Sequence, residues 1–276
     1  MNTLNHKKTK YQSGLTLVEL MIALVIGLVL IGGVIQIFVA NNQTYRVTDN
    51  MSRLQENGRF ALDALSRSIR IAGFKDNAVL NLTAPFTLPA PALLGLGFTD
   101  AEQFISGTDG AVGAANVLDD ADDITIRYRG ASAGNPLIDC IGNPVGAGNE
   151  VISRFYLDAV NNELECATTS GTQPLIDNVM AMQILYGVAD NPTSNSANCY
   201  FPASALDGTN ANCGSPTFNE VVSIRIKLLL ATQADNLTSD GAVQTLTFDD
   251  NGAADTMVDR RIYRQFTQTI SLRNKN

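Results

Sequence analysis

The stretch "SGLTLVELMIALVIGLVLIGG" (Ser13–Gly33) combines a long apolar run with one acidic residue, Glu19. From Leu20 to Ala40 the chain carries no formally charged side chain. A helix that rises about 1.5 Å per residue over this run is long enough to cross a hydrocarbon layer of about 30 Å. The run therefore predicts a membrane-spanning helix, and Glu19 at its start needs an explanation.

The segment before the apolar run, "MNTLNHKKTKYQSG", has three lysines, one histidine and no acid. A basic flank of this kind stays on the cytoplasmic side, so the remainder of the chain is predicted to be exported. A cleaved secretory signal would need a small residue where Phe38 lies. A plain membrane anchor leaves Glu19 as an unexplained cost, about 2.5 to 3.5 kcal/mol for a carboxylate at the bilayer centre.

Gly14, followed by Leu-Thr-Leu-Val-Glu and an apolar run, resembles the prepilin signal of type IV pilins and type II secretion pseudopilins. The resemblance implies that the prepilin peptidase cleaves after Gly14 and methylates the new amine of Leu15. Most members of that family have Phe at this position. Glu19 is then an assembly contact, paired with the Leu15 amine of a neighbouring subunit, because both charges need a partner in lipid.

The helix is predicted to continue beyond the apolar run. Small or apolar residues recur every three or four positions, as expected for one helical stripe. The stripe consists of Val47, Met51, Leu54, Gly58, Ala61, Leu65, Ile69 and Ala72. We expect one helix from about Thr16 to Ala72, ended by Gly73.

Three segments resemble PilW-type minor pilins. They are "LQENGRFALDALSRSIRIAGF" (Leu54–Phe74), "VMAMQILYGV" (Val179–Val188) and "RRIYRQFTQTISLRN" (Arg260–Asn274). The resemblance implies a low-abundance subunit that primes type IV pilus assembly and lies at or near the pilus tip. Its implied partners are other minor pilins, the major pilin, the prepilin peptidase and the inner-membrane assembly platform, with a large tip adhesin as a further candidate.

Two alternatives share these features. A minor pseudopilin of type II secretion would have the same leader, helix and head. A tip adhesin or DNA-uptake subunit would use the head loops for binding. In each case the protein first sits in the inner membrane as a single-pass subunit with a periplasmic head. The pilin alternatives then place it in the pilus of a Gram-negative bacterium.

The predicted fold class is α+β, a type IV pilin-like long helix packed on an antiparallel β-sheet head with long loops. We divide the chain into a leader (1–14), a membrane half of the helix (15–40), a periplasmic half (41–73) and a β-rich head (74–276). Short β-rich runs separated by Gly-, Asn- and Asp-rich stretches predict the strands of the head. These strands are Asp123–Tyr128, Val151–Asp158, Glu163–Ala167, Val179–Val188, Glu220–Ala231, Val243–Phe248 and Ile262–Leu272. Asn161-Asn162 is predicted to form a hairpin turn.

The four cysteines, Cys140, Cys166, Cys199 and Cys213, all follow the apolar run. An even number in an exported head favours disulfides, although four cysteines allow three pairings. We favour Cys140 with Cys166 and Cys199 with Cys213. A zinc site is disfavoured because the sequence has no C-x-x-C pair and its one histidine, His6, is in the leader.

The chain has 19 Lys and Arg against 27 Asp and Glu, a net charge of -8. This balance disfavours nucleic-acid binding over a broad basic surface and leaves it as an alternative at the pilus tip. Basic residues do gather near the C-terminus, where we interpret them as an exposed strand face. They are Arg260, Arg261, Arg264, Arg273 and Lys275.

No catalytic motif is recognisable, and we predict neither an enzyme nor a bound cofactor. Two acidic clusters are candidate calcium ligands, although neither has the spacing of an EF-hand loop. The weak calcium candidates are Asp249, Asp250 and Asp255. The other cluster is Asp119, Asp120, Asp122 and Asp123. We interpret both clusters as solvated turns in preference to calcium sites.

Overall fold

The computed structural model describes most of the chain. The described residues are 14–76, 86, 98–110, 121–131, 137–189, 195–208, 213, 216–238, 243–248, 255–257 and 259–274. The chain divides into two compact units between Thr48 and Asp49. The chain is α+β, with one long N-terminal helix and antiparallel sheets in the second unit.

The helix α1 runs from Leu17 to Ile71, 55 residues without interruption. It stops where Gly73 adopts a φ of +76°, a left-handed conformation that glycine accepts without strain. The side-chain amide of Asn274 donates to the carbonyls of Arg70 (3.2 Å) and Ala72 (3.0 Å). These bonds satisfy carbonyl groups that the end of a helix leaves without a partner.

The predicted helical stripe is confirmed in the second half of α1. Leu54, Gly58, Ala61, Leu65 and Ile69 are buried in the core of the head. Ala72, just past the helix end, is also buried, and Val47 and Met51 are half-buried. Spacing by three and four places these side chains on one face of the helix, which explains why one face is buried while its neighbours stay exposed.

The described residues of the head form thirteen strands. Their bounds are β1 Ile105–Thr108, β2 Asp123–Arg129, β3 Leu137–Ile138, β4 Pro144–Val145, β5 Glu150–Asp158, β6 Glu163–Thr168, β7 Gly171–Asp177, β8 Val179–Val188, β9 Cys199–Phe201, β10 Val221–Ala231, β11 Gln244–Leu246, β12 Asp255–Met257 and β13 Tyr263–Ser271. One sheet has the order β1-β2-β5-β6-β7, and a second has the order β13-β10-β8-β9. Two-stranded ladders join β3 with β4 and β11 with β12. Every named ladder is antiparallel.

The seven predicted strands are all present, each within one or two residues of its predicted ends. The turn between β5 and β6 places Asn162 at a φ of 55°, as the Asn-Asn sequence predicts. The sequence did not predict β1, β3, β4, β7, β9 or β12. Of these, β7 is mostly exposed and the others have four residues or fewer, so they lack the alternating apolar pattern on which strand prediction depends.

The expectation of a solvated turn is wrong for Asp122 and Asp123. Both are nearly inaccessible to solvent, at 5% and 3% exposure. Asp122 accepts hydrogen bonds from the amides of Gly110 (2.9 Å) and Ile184 (2.7 Å). Its own amide donates to the Met182 carbonyl. Because β8 belongs to the second sheet, this carboxylate ties that sheet to the segment preceding β2.

Asp123 has a different partner from its neighbour. One oxygen accepts from the Thr108 amide (2.9 Å), and the other accepts from the Arg154 guanidinium at 3.0 Å and 2.5 Å. Asp123 therefore joins three adjacent strands of the five-stranded sheet. Both oxygens of its carboxylate therefore accept hydrogen bonds within the sheet.

The structure pairs Cys140 with Cys166 and Cys199 with Cys213, the two pairs that the sequence favours. The first bridge attaches the turn between β3 and β4 to β6, and Cys166 is fully buried. The second bridge joins Cys199, the first residue of β9, to Cys213, 14 residues later. In the chain-entropy model such loops contribute about 3 kcal/mol each by restricting the unfolded chain.

Candidate functional site at the start of the long helix

The first helical turn contains the residues that sequence analysis selected as functional. Gly14, Leu15 and Thr16 precede the helix, and Glu19 lies in its first turn. All four are exposed, Leu15 by 74%. Gly14 and Leu15 are exposed and lie outside regular secondary structure, so the bond between them is accessible to a protease. The structure leaves cleavage after Gly14, methylation of Leu15 and pairing of Glu19 as predictions.

Thr16 caps this helix, a role that sequence analysis missed. Its hydroxyl accepts a hydrogen bond from the Glu19 amide (3.3 Å), and its carbonyl accepts the first helical bond from Leu20 (3.2 Å). Thr16 is thus the N-cap, and Glu19 lies at the third helical position, the arrangement T-x-x-E of a capping box. The signal was available, since a threonine three residues before a glutamate opens the apolar run.

Glu19 therefore lies where a negative charge stabilises a helix. Unpaired amides give the N-terminus a partial positive charge, and a carboxylate in the first turn gains about 0.3 to 1 kcal/mol from it. This interaction lowers the cost of keeping an acid next to an apolar run. It also means that Glu19 has a local role independent of any second subunit.

The residues after Glu19 present their apolar side chains outward. No residue of the most apolar window is buried, and the helix is long and apolar enough to span a membrane. Large side chains such as Leu24, Leu28 and Phe38 are 64%, 76% and 68% exposed. An apolar surface this large requires lipid or other protein around it. No proline occurs between Leu15 and Gly73, so no helix-breaking residue interrupts this half.

The calcium candidates do not form a site in the part of the chain that the structure describes. Asp249 and Asp250 lie outside the described residues, and Asp255 begins strand β12. Within the described ranges no group of three potential ligands converges on one point. Asp122 and Asp123 use their carboxylates in the internal bonds described above.

The basic residues near the C-terminus are distributed over several environments. Arg260 donates to the Thr238 carbonyl (3.2 Å), and Arg261 donates to Asp259 (2.7 Å). Arg264 and Arg273 are exposed. Lys275 lies outside the described residues. Arg264 and Arg273 therefore match the predicted exposed face, whereas Arg260 and Arg261 are half-buried before β13.

Sequence analysis also missed a buried cation in the head. Arg127, on β2, has no exposed side-chain surface, and its guanidinium lies 4.6 Å from the ring centre of Phe86 and 4.3 Å from that of Phe98. It donates to the Asp100 carbonyl (2.6 Å) and lies 3.5 Å from Glu150. Burial lowers the pKa of Arg127, and the nearby Glu150 carboxylate opposes that effect. Arg127 is an anchor within the fold, since its charge and donors are used internally.

Comparison with known proteins gives two family matches. The model of the type IV pilus-assembly protein W matches residues 145–274, and that of the prokaryotic N-terminal methylation motif matches residues 9–35. No curated protein matches the chain. Among solved structures, the chain is similar to a type IV-like pilin from Thermus thermophilus, with 12% identity and a TM-score of 0.42 over 80% of this chain and 96% of that chain.

The two family matches lie in separate parts of the chain. The methylation motif covers Gly14, Leu15 and Glu19, the residues selected at the helix start. The PilW match covers the head from β4 to the residues after β13. A pilin signal and a PilW head in one chain together support a type IV pilus minor pilin of the PilW family.

Proposed function

We propose that this minor pilin primes assembly of the type IV pilus and is incorporated at or near its tip. The observation that carries the proposal is the capped, exposed first turn that holds Glu19 beside an uncovered apolar helix. A structural subunit needs such a surface because it must be held in the membrane and then packed against other helices. The proposed role is mechanical and involves no catalysis by this chain.

In the proposed sequence of events, the prepilin peptidase cleaves after Gly14 and methylates the amine of Leu15. Cleavage leaves a cation four residues before Glu19. Before assembly, the apolar half of the helix lies in the inner membrane and the head of the protein lies in the periplasm. The Glu19 carboxylate then forms an ion pair with the corresponding amine of a neighbouring subunit, since an ion pair costs far less in lipid than two separate charges.

The apolar face contributes no directional contact of its own. Lipid tails and neighbouring helices cover it about equally well, so apolar burial alone does not set the register between two helices. A single ion pair does set it, because sliding one helix along the other separates the charges. Glu19 therefore sets the register between neighbouring helices, and the apolar residues that follow it provide non-directional packing.

Processing is tested by the intact mass of the protein purified from membranes. We expect loss of residues 1–14 and gain of one methyl group, both dependent on the peptidase. Gly14→Ala is expected to block both changes. An unprocessed N-terminus in wild-type cells, or cleavage near Ala40, contradicts the proposal.

The assembly role of Glu19 is tested with two variants that separate charge from capping. Glu19→Gln keeps a side chain that suits the third position of a capping box, whereas Glu19→Ala does not. If the ion pair matters, both variants reduce pilus number while leader processing continues. If only the cap matters, Glu19→Gln retains wild-type piliation, and the proposed pairing with a neighbour is wrong.

A further inference from the structure

The outer edge of β13 is a candidate interaction surface. β13 is the end strand of its sheet, where it pairs with β10 alone. Nine consecutive residue pairs, from Tyr263 to Ser271, join the two strands without a register shift. An end strand presents every second residue's amide and carbonyl away from its sheet.

Bonds at the two ends of β13 identify which residues face outward. The Ile262 carbonyl accepts from the Thr232 amide, and the Leu272 amide donates to the Val222 carbonyl. Even-numbered residues therefore direct their backbone groups toward β10. By alternation, odd-numbered residues direct theirs away from it.

A side chain already occupies the first outward position. The side-chain oxygen of Gln244 accepts a hydrogen bond from the backbone amide of Tyr263 (3.3 Å), and its side-chain nitrogen donates one to the Arg261 carbonyl. This pair of bonds imitates one step of an antiparallel ladder. The outward backbone groups are therefore aligned for pairing with an extended chain.

Beyond Gln244, four outward residues remain, namely Gln265, Thr267, Thr269 and Ser271. Their side chains are exposed, and the part of the chain that the structure describes supplies no partner for their backbone groups. Outward residues two apart repeat every 6.8 Å or so, the repeat of an extended strand. Only a strand matches that row of alternating donors and acceptors.

The edge also lacks the features that usually prevent strand addition. Edges are commonly blocked by proline, lysine, a bulge or short length. Among the described end strands, β7 contains Pro174, β9 has three residues, and β1 has four. β13 has nine residues, contains no proline or lysine and pairs with β10 without a bulge; Arg264 is its one charged residue. Strand-forming threonines occupy its exposed face, where they favour pairing across strands.

We propose that the outer edge of β13, Gln265–Ser271, accepts an extended, acidic strand from the head of another pilin-like subunit. The exposed Arg264 and the nearby Arg273 give this edge a positive charge, and the strand itself contains no acid. A partner strand with an acidic side chain therefore matches it in charge. That the partner is a pilin-like head rests on the assembly function proposed above.

The test uses the full-length protein in its own cells, with a photo-crosslinking amino acid in place of Thr269. Thr267→Pro removes one outward amide and places a ring against any added strand, while the bonds of β13 to β10 stay intact. Thr267→Val is the matched control, because it changes the side chain and keeps the amide. We expect a cross-link to an acidic, extended segment of another pilin-like subunit, about tenfold weaker in Thr267→Pro and unchanged in Thr267→Val.

A second measurement requires no variant. In hydrogen exchange of the wild-type protein, the amides of Thr267 and Thr269 are expected to exchange fast in the protein alone and slowly in its complex with the partner that the cross-link identifies. The amides of Phe266 and Gln268, which face β10, are expected to be slow in both states. Equal exchange of the outward amides in the two states would overturn the proposal.

Several results separate this inference from the assembly function. A cross-link to a helix, to a second copy of this chain or to no protein would overturn strand addition by another subunit. So would an undiminished cross-link in Thr267→Pro. If Thr267→Pro assembles pili normally while Glu19→Ala does not, the inference about β13 fails and the assembly function stands. If neither Glu19 nor Gly14 matters for piliation, the assembly function itself fails.

Discussion

Replacing Asp122 by alanine should destabilise the head, even though this residue lies in what the sequence suggests is a polar turn. Its carboxylate accepts from the amides of Gly110 and Ile184 at 2.9 Å and 2.7 Å. The Ile184 amide is in the middle of β8, a fully buried strand. Water is therefore poorly placed to replace the lost acceptor.

The expected cost follows from these two bonds. A hydrogen bond to a charged group contributes about 1.5 to 3 kcal/mol, and a buried donor left without an acceptor loses a comparable amount. Asp122→Ala should therefore lower the free energy of unfolding by about 3 to 6 kcal/mol. Asp122→Asn keeps one acceptor oxygen, and its loss should be about half as large.

Denaturant unfolding of the full-length protein in detergent, followed by near-ultraviolet circular dichroism of the head, measures these losses. Asp235→Ala is the matched control, since Asp235 is exposed and should change stability by less than about 0.5 kcal/mol. A loss this small for Asp122→Ala would refute the reasoning and restore the solvated turn. If added calcium restored the full stability of Asp122→Asn, the role of Asp122 would be in a cation site and not in structural hydrogen bonds.

Three further predictions use the same measurement. Gly58→Ala should destabilise the head although alanine favours helices by about 1 kcal/mol, because the added methyl would lie 2.5 Å from the Phe266 ring; with Phe266→Ala present, the same change should stabilise it. Replacing Cys199 and Cys213 together by alanine should cost about 3 kcal/mol, and an unchanged midpoint would mean that this bridge does not form in the protein. Burial raises the pKa of Asp259, but hydrogen bonds from Tyr263 and Arg261 outweigh burial and lower that pKa below its usual value. The contribution of Asp259 to the free energy of unfolding should therefore be complete above about pH 3.9 and lost in stronger acid. Asp259→Asn should then make stability depend less on pH in the acid range.

Local sequence patterns predicted the parts of the fold that local chemistry determines. The buried face of α1 follows from residues three and four apart, and Gly73 marks its end. Strand β8 was predicted at its observed bounds because the mostly apolar run Val179–Tyr186 contains no glycine, proline, asparagine or aspartate. In these elements the signal and the structure span the same few residues.

Long-range interactions explain what the sequence could not predict. Asp122 bonds to amides 12 and 62 residues away, and no spacing rule distinguishes it from an exposed aspartate. Arg127 is similar, since an arginine in a strand usually lies at the surface. The Thr16 cap is the opposite case, because its T-x-x-E signal is local and was present in the sequence.

The helix α1 has to satisfy two different environments along one continuous element. From Leu54 onward its apolar residues form a narrow stripe, because only one face meets the head. Between Leu20 and Ala40 they occur on all sides, the pattern expected of a helix that spans a membrane or is covered by other protein. The change from an all-round to a one-sided pattern falls across the mainly polar segment 41–48, where the expected surroundings of the helix change. Substitutions that add a charge should thus be tolerated on the exposed face after Leu54 and opposed on every face between Leu20 and Ala40.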